Sequence, residues 1–339
     1  MINHFKSYPL KKHNTFGIAV KAKDFYEYST VEELESILCG KYIKNHKILN
    51  LGAGSNILFL SDFKGVVLHS KISGMQIEEE TDNEVIVSAG AGILWDDFVL
   101  WCVNQGFGGI ENLSFIPGTV GASAIQNIGA YGVELKSVFY KLEGIFLENL
   151  KNFTFFADDC NFGYRASIFK DSLKDKTVIT RLFLKLSKNP VFNLEYGAIK
   201  NELDRQKNSV TLENIREAVK TIRDSKLPNP SVIGNAGSFF KNPLIYRDVY
   251  LEIKRVYRDM PYFEVARRRI YKIPAAWLIE KAGWKDMQIG RAGVYQNQPL
   301  VLVNLGGATG KEILELASEI EKDIYTQFRI TLEKEVVVI

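Results

Sequence analysis

Residues 106–135 read GFGGIENLSFIPGTVGASAIQNIGAYGVEL, thirty residues across which no helical or alternating apolar period survives. A compact domain seldom carries so long a stretch without regular structure unless it works on a ligand or is disordered. Regular elements flank it on both sides. HKILNLGAGSNILFL (46–60) reads as a buried strand, a glycine turn and a second apolar run. Val66–His69 and Glu84–Ala89 read as strands rich in β-branched residues. Leu94, Trp95, Phe98, Trp101 and Cys102 recur at helical spacing over 94–104, with Gly106 as the stop.

Strands resume at 140–146 and 177–186. Thr211 caps a helix whose apolar face is Ile215, Ala218, Val219 and Ile222. That helix runs into DSKLPNP (224–230), where two prolines mark a domain boundary. Beyond it, helices are predicted over 249–260, over 275–282 after Pro274, and over 311–328 through Ile313, Leu316, Ile320 and Ile324. The chain closes on EVVVI (335–339), an apolar run expected to dock as a strand in a sheet made earlier. No internal repeat or low-complexity segment is visible. The mixture is α+β rather than strict βα alternation.

With 339 residues the chain has room for two or three domains. Its 43 basic and 40 acidic residues leave a net charge of +3, which argues against a nucleic-acid partner. The basic run ARRRIYK (266–272) reads as solvated surface. Cys39, Cys102 and Cys160 lie far apart, with neither zinc spacing nor a disulfide framework, which suits a reducing compartment. The N-terminus has no apolar core of a secretory signal, and no apolar run approaches a membrane span, so a cytoplasmic protein is expected. His4, His13, His46 and His69 have no metal-ligand spacing, and no metal site is expected.

Four stretches carry chemistry. LGAGSN (51–56) follows a strand, and Gly52, Ala53 and Gly54 let the backbone approach a ligand while Ser55 and Asn56 add donors. Consecutive N–H groups in such a turn form an anion nest that fits a pyrophosphate, although a tight interstrand turn reads the same way. In IPGTVGASAIQNIGAYG (116–132), Pro117 and Gly118 begin a turn, Gly121, Ala122, Ser123 and Ala124 keep side chains small, and Gln126 and Asn127 offer paired amides. A flat ring with several heteroatoms, such as a flavin, could be read there; a small-residue packing surface is the alternative. CNFGYRASIFK (160–170) sets Tyr164 and Arg165 after a glycine, where the guanidinium could grip a carboxylate or simply pair on the surface. GNAGSFFKNP (234–243) brings a hydroxyl, Ser238, a cation, Lys241, and an amide, Asn242, beside two phenylalanines.

Together NTFGI (14–18), LGAGSNILFL (51–60), ENLSFIPGTVGASAIQNIGAYGVEL (111–135), FGYRASIFK (162–170), LEYG (194–197), KLPNP (226–230), GNAGSFFKNP (234–243), AAWLIEKAGWKDMQIGRAGVY (275–295) and LEKEV (332–336) resemble the UDP-N-acetylenolpyruvoylglucosamine reductases, in matching order from end to end. The segment around Tyr196 resembles the longer subtype, with an extra tyrosine-bearing loop over the substrate. The resemblance implies an FAD-binding fold of the vanillyl-alcohol-oxidase type. It implies FAD-binding subdomains at 1–67, completed by a strand from 329–339, and 68–225, followed by a substrate domain at 226–328. It implies NADPH as the co-substrate that reduces FAD, and a second half-reaction in which hydride passes to the enolpyruvyl group of a UDP-sugar.

By that resemblance Ser238 donates the proton, Arg165 stabilises the intermediate and Glu335 is the third catalytic residue. Cofactor contacts fall at Gly52, Ala53, Gly54, Ser55, Asn56, Ser114, Pro117, Gly118, Gly121, Ala122, Gln126, Asn127, Gly129, Ala130 and Tyr131. Substrate contacts fall at Tyr164, Tyr196, Lys226, Asn235, Lys241 and Asn242. A monomer without nucleic-acid or membrane partners is expected. Ala166 stands where some members carry an aspartate, and the chain stops four residues after Glu335. A flavin oxidase on the same fold, or a nucleotide-binding module without catalysis, are the competing readings; the presence of Arg165, Ser238 and Glu335 speaks against the second.

Overall fold

The computed structural model describes residues 2–194, 198–265 and 269–339. They form two compact units, one of residues 1–8, 22–53 and 63–225, the other of residues 9–21, 54–62 and 226–339. The chain passes from the first to the second for good at Ser225, inside the proline-rich stretch.

Among its described residues the first unit holds a four-stranded and a five-stranded sheet. One has the order Asn3–Pro9, Lys21–Tyr28, Phe63–Ser70, Ile48–Asn50, with parallel pairing of Lys21–Tyr28 and of Ile48–Asn50 to Phe63–Ser70. The other is antiparallel, ordered Asn152–Phe156, Phe139–Phe146, Thr177–Ser187, Glu84–Gly90, Met75–Glu80. Its central strand, Thr177–Ser187, is buried almost throughout, because both faces are covered. Leu182, Leu184 and Leu186 join Val85, Val87 and the helix Trp95–Asn104, which buries Trp95, Phe98, Val99, Cys102 and Val103. Val178 joins Ile145 in a second cluster with Val66 and Leu68 of the parallel sheet. Apolar burial of this kind is worth roughly 25 cal/mol per Å², so each large side chain contributes on the order of 2 kcal/mol.

The glycine-rich stretch is not a bare loop. It contains a 3₁₀ turn at Glu111–Leu113, a short helix at Val120–Ser123 and a two-rung hairpin of Gly129–Ala130 with Val133–Glu134. Thr211 caps the helix Leu212–Lys226 by accepting from the Asn214 N–H at 3.2 Å.

In the second unit an antiparallel sheet runs Gly234–Ser238, Val301–Asn304, Ala292–Val294, Gln288–Ile289. The helix Gly310–Phe328 opens with a reciprocal cap between Thr309 and Glu312 and buries Ile313, Leu316, Ala317, Ile320 and Ile324. A small antiparallel sheet, Leu244–Tyr246, Ile270–Lys272, Phe263–Val265, lies after the first strand in sequence. The helix expected over 249–260 is instead Arg247–Val256; Pro261 disfavours helical backbone at Met260, which folds back in a turn onto the Tyr257 carbonyl. The terminal run pairs in parallel with Ile57–Leu58, but only at Val337–Val338, and those two residues are half-buried rather than enclosed. Its partner strand is itself two residues long.

Cys39, Cys102 and Cys160 are free thiols, and burial pushes the Cys160 thiol up to about 12. Among the described residues no helix is long and apolar enough to cross a membrane, and no cluster could hold a metal ion.

Candidate active site

In the first unit the two glycine loops meet. A Cβ on Gly52 would stand 2.7 Å from Thr119 Oγ1 and 3.6 Å from the Ala122 Cβ. A side chain at 52 would therefore force the Thr119 side chain to shift. The N–H groups of Gly52, Ala53, Gly118 and Thr119 donate to no acceptor among the described residues. Gly121 is also packed against protein: an added Cβ would lie 2.7 Å from that of Ala91. Pro117 is exposed and Ser114 is fully buried, its hydroxyl donating to the Glu111 carbonyl at 2.6 Å.

The amide pair points two ways. Asn127 is buried with φ +45; its amide donates to the Gly163 carbonyl at 3.0 Å and to Glu134 Oε2 at 3.1 Å, and its oxygen accepts from the Lys136 N–H at 2.9 Å. Gln126 Oε1 accepts from Lys170 Nζ at 3.2 Å. Ala130 and Tyr131 shape the hairpin turn, Tyr131 at φ +49, and the Asn112 amide donates to the Tyr131 carbonyl at 3.0 Å.

Arg165 sits in a tight turn closed by Gly163 and Ala166, which exchange N–H···O bonds of 3.0 and 3.3 Å. Its φ is +51, a conformation that disfavours a residue with a Cβ by roughly 1–2 kcal/mol. Its Nη2 donates to the Gly129 carbonyl at 2.6 Å, and its guanidinium lies 5.5 Å from the Tyr164 ring centroid. The turn therefore fastens the arginine to the hairpin made by the glycine-rich stretch. Backbone strain held by its surroundings clusters at functional positions.

The second unit gathers the remaining candidates. Gly234 and Asn235 pair in register with Asn304 and Val303, then a bulge at 236–237 lets Ser238 face Val301. Gly237 turns the backbone there at φ +68. Asn235 is buried and occupied: its amide donates to the Pro228 and Ile233 carbonyls at 3.1 and 2.9 Å and its oxygen accepts from the Gly237 N–H at 3.0 Å, which fixes the bulge. Phe239 and Phe240 are buried, Lys241 Nζ pairs with Glu333, and Asn242 Oδ1 accepts from the Ala275 N–H at 2.9 Å.

Beyond Ser238 the chain runs beside the C-terminal segment. The Glu335 N–H donates to the Phe239 carbonyl at 2.8 Å, the Lys241 N–H donates to the Glu333 carbonyl at 2.8 Å, and Phe240 bridges Lys334. Asn56 holds the same segment from its other side. Its amide donates to the Glu335 carbonyl at 3.2 Å and its carbonyl accepts from the Val337 N–H at 3.0 Å. The segment that follows Ser238 thus runs beside the one that carries Glu335, and the Glu335 backbone is held by both Phe239 and Asn56.

Lys226 is exposed at the end of the helix Leu212–Lys226. Tyr196 lies outside the described residues, as do three residues of the basic run, 266–268. Asp96, Phe115, Thr119 and Arg216 were not singled out from sequence. One signal pointed to Arg216: it is a charged residue on the apolar face of the Leu212–Lys226 helix, where it is buried.

Two family profiles match the chain: the FAD binding domain over residues 25–144, and the UDP-N-acetylenolpyruvoylglucosamine reductase C-terminal domain over residues 229–339. These assign the class, an FAD-binding oxidoreductase of α+β fold. The UDP-N-acetylenolpyruvoylglucosamine reductase of Flavobacterium johnsoniae is 46% identical over 335 residues, 98% of each chain, and that of Bacteroides fragilis 43% identical over 331 residues, again 98% of each. The chain belongs to the UDP-N-acetylenolpyruvoylglucosamine reductase family. The crystal structure of such a reductase from Thermus caldophilus, at 21% identity, shares its fold, with a TM-score of 0.67 over 100% of this chain and 98% of that one. The expected flavin-binding fold is the one present.

The first unit's donor set suits FAD, the family's cofactor. Free backbone N–H groups from two loops in contact form the kind of concavity that takes a phosphate. Gly52, Ala53, Gly118 and Thr119 are the residues that would hold it.

Proposed function

We propose that this protein reduces UDP-N-acetylglucosamine enolpyruvate to UDP-N-acetylmuramate with NADPH, in the cytoplasm, as a step of peptidoglycan precursor synthesis. The observation that carries the reading is the contact of the segment after Ser238 with the segment bearing Glu335, through the Glu335 N–H to the Phe239 carbonyl and the Phe240–Lys334 bridge, in a chain of this family. FAD, held by the loops around Gly52 and Gly118, would supply the hydride acceptor for NADPH and the hydride donor for the enolpyruvyl double bond.

Hydride addition to an enol ether beside a carboxylate leaves negative charge on the substrate as an enolate. The neighbouring carbon must then take a proton. Ser238 is the proton donor in this reading. A hydroxyl is a weak acid, so its position matters more than its acidity. The bulge at Gly237 aims it, and the buried Phe239 and Phe240 beside it limit access of water. Glu335, fixed by Phe239 and Asn56, is the carboxylate that supports proton delivery. Arg165 stabilises the developing enolate, and its pre-set turn spares it reorganisation during the reaction. Tyr164, Lys226, Lys241 and Asn242 contact the sugar nucleotide in this reading, with Tyr196 over it. Residues 1–67, completed by 329–339, and 68–225 bind FAD in this reading, and 226–328 bind the substrate.

Anaerobic stopped-flow on the separate half-reactions tests this. Ser238→Ala is expected to leave flavin reduction by NADPH nearly intact and to slow reoxidation by the sugar nucleotide by about 10²–10⁴, the range of a lost general acid. Equal reoxidation rates in mutant and wild type would remove Ser238 from its role.

A further inference from the structure

A charged clamp sits directly behind the cofactor loop of the first unit. Asp96, in the first turn of the helix Trp95–Asn104, and Arg216, on the helix Leu212–Lys226, form a two-pronged ion pair with N···O distances of 2.6 and 2.8 Å. The Arg216 side chain is 8% exposed and that of Asp96 27%, so the pair is largely withdrawn from water. Asp96 Oδ1 also accepts from the backbone N–H of Phe115 at 2.5 Å. The Arg216 guanidinium covers the Phe115 ring, 4.2 Å from its centroid.

Phe115 has φ +59, a left-handed backbone that an aromatic residue adopts only when its surroundings impose it. Both partners of the ion pair bear on that one residue, one on its N–H and the other on its ring. Phe115 lies between Ser114, anchored through Glu111, and the Ile116–Thr119 turn, where the donor-ready N–H groups of Gly118 and Thr119 lie. The preceding Leu113 carbonyl is held as well, by Trp95 Nε1 at 2.9 Å. Neither Asp96 nor Arg216 belongs to the residues read as touching cofactor or substrate.

We propose that Asp96 and Arg216 are positioning residues for FAD, imposing the left-handed turn at Phe115 and so presetting the N–H donors of Gly118 and Thr119. The proposal rests on the reading of 114–119 as a cofactor loop. A conserved-volume replacement separates it from general stability. Removing Asp96 alone would strand a buried guanidinium and could unfold the protein. Asp96→Leu with Arg216→Met removes both charges together and leaves an apolar pair of similar size.

The test uses the full chain, stripped of FAD and titrated with it, following flavin fluorescence for affinity and visible circular dichroism for the setting of the bound ring. The double variant is expected to keep the wild-type melting temperature of the FAD-free protein within a few degrees. It should bind FAD about ten-fold more weakly, the cost of an unsupported left-handed residue, and show an altered visible dichroism. Adding Phe115→Asn, a residue that tolerates this backbone, should recover most of the lost affinity. Gly118→Ala serves as the control, because its φ of +148 bars a side chain in the loop itself. Wild-type affinity and dichroism in the folded double variant, with Gly118→Ala impaired, overturn the clamp and leave the loop reading standing. Wild-type behaviour in both overturns the clamp and the loop reading together.

Discussion

Gly237 shows how much one backbone angle can carry. A Cβ there would meet nothing within 4 Å, yet its φ is +68. Gly237→Ala is therefore a substitution of pure backbone strain, expected to cost roughly 1–2 kcal/mol in urea unfolding. Relaxing that strain would turn Ser238, so reoxidation by the sugar nucleotide should slow while FAD affinity stays unchanged. A variant that loses FAD and keeps its reoxidation rate would contradict this account of the bulge. Arg165 is the second residue where geometry outweighs charge. Lysine at 165 would keep the cation but lose the fork that grips the Gly129 carbonyl. Arg165→Lys should slow the second half-reaction by about 10²–10³, as loss of a charge-stabilising donor does. Full retention of that rate would reduce Arg165 to a point charge.

At the scale of elements, the strand Phe63–Ser70 steadies the segment that leads into the first glycine loop. His69 Nδ1 donates to the Leu51 carbonyl at 2.8 Å, with Glu27 4.0 Å from its other nitrogen and Lys71 nearby. Burial, the largest cause, holds its pKa below the ordinary histidine value; Lys71 adds to that, while the Leu51 carbonyl and Glu27 oppose it. The folded state thus prefers the neutral ring. Its contribution is fully present above the unfolded value of about 6.5 and is lost as pH falls below it. Urea midpoints between pH 7.5 and 5 should fall more steeply for wild type than for His69→Gln, and parallel curves would exclude the effect. In the helix Trp95–Asn104, Phe98→Ala should cost about 3–5 kcal/mol by opening a cavity among fully buried neighbours.

That helix was legible because its apolar residues repeat at helical spacing, and the last long helix was legible for the same reason, through Ile313, Leu316, Ile320 and Ile324. The strand Asn3–Pro9 was not: it is exposed almost throughout, so no alternation marks it. The short helix and hairpin inside 106–135 escaped because each is only a few residues long and is held by contacts to distant residues such as Ala91 and Gly163. A turn beside Ser238 was legible through the glycines around it, whereas its role came only from the family resemblance. The clamp on Phe115 was not, because Asp96 and Arg216 are 120 residues apart and meet only in space.

At the scale of the molecule, each unit is assembled from three separate pieces of chain. The second cannot be cut out at Lys226. Residues 226–339 alone would lack Phe16, whose carbonyl accepts from the Asn304 amide at 2.9 Å, and Thr15, whose carbonyl accepts from the Asn235 N–H at 3.0 Å. They would also lack Ile57–Leu58, the partner of the terminal strand. A fragment of 226–339 should show no cooperative melting by circular dichroism; a sharp transition would mean that the early segments are dispensable.

In the proposed reaction a flavin carries electrons from NADPH to an enolpyruvyl sugar nucleotide. Its most direct test is the visible spectrum of the purified protein under anaerobic conditions, first with NADPH and then with UDP-N-acetylglucosamine enolpyruvate. The flavin spectrum is expected to bleach on the first addition and return on the second. A flavin that bleaches and recovers only when air is admitted would contradict it and point to an oxidase instead.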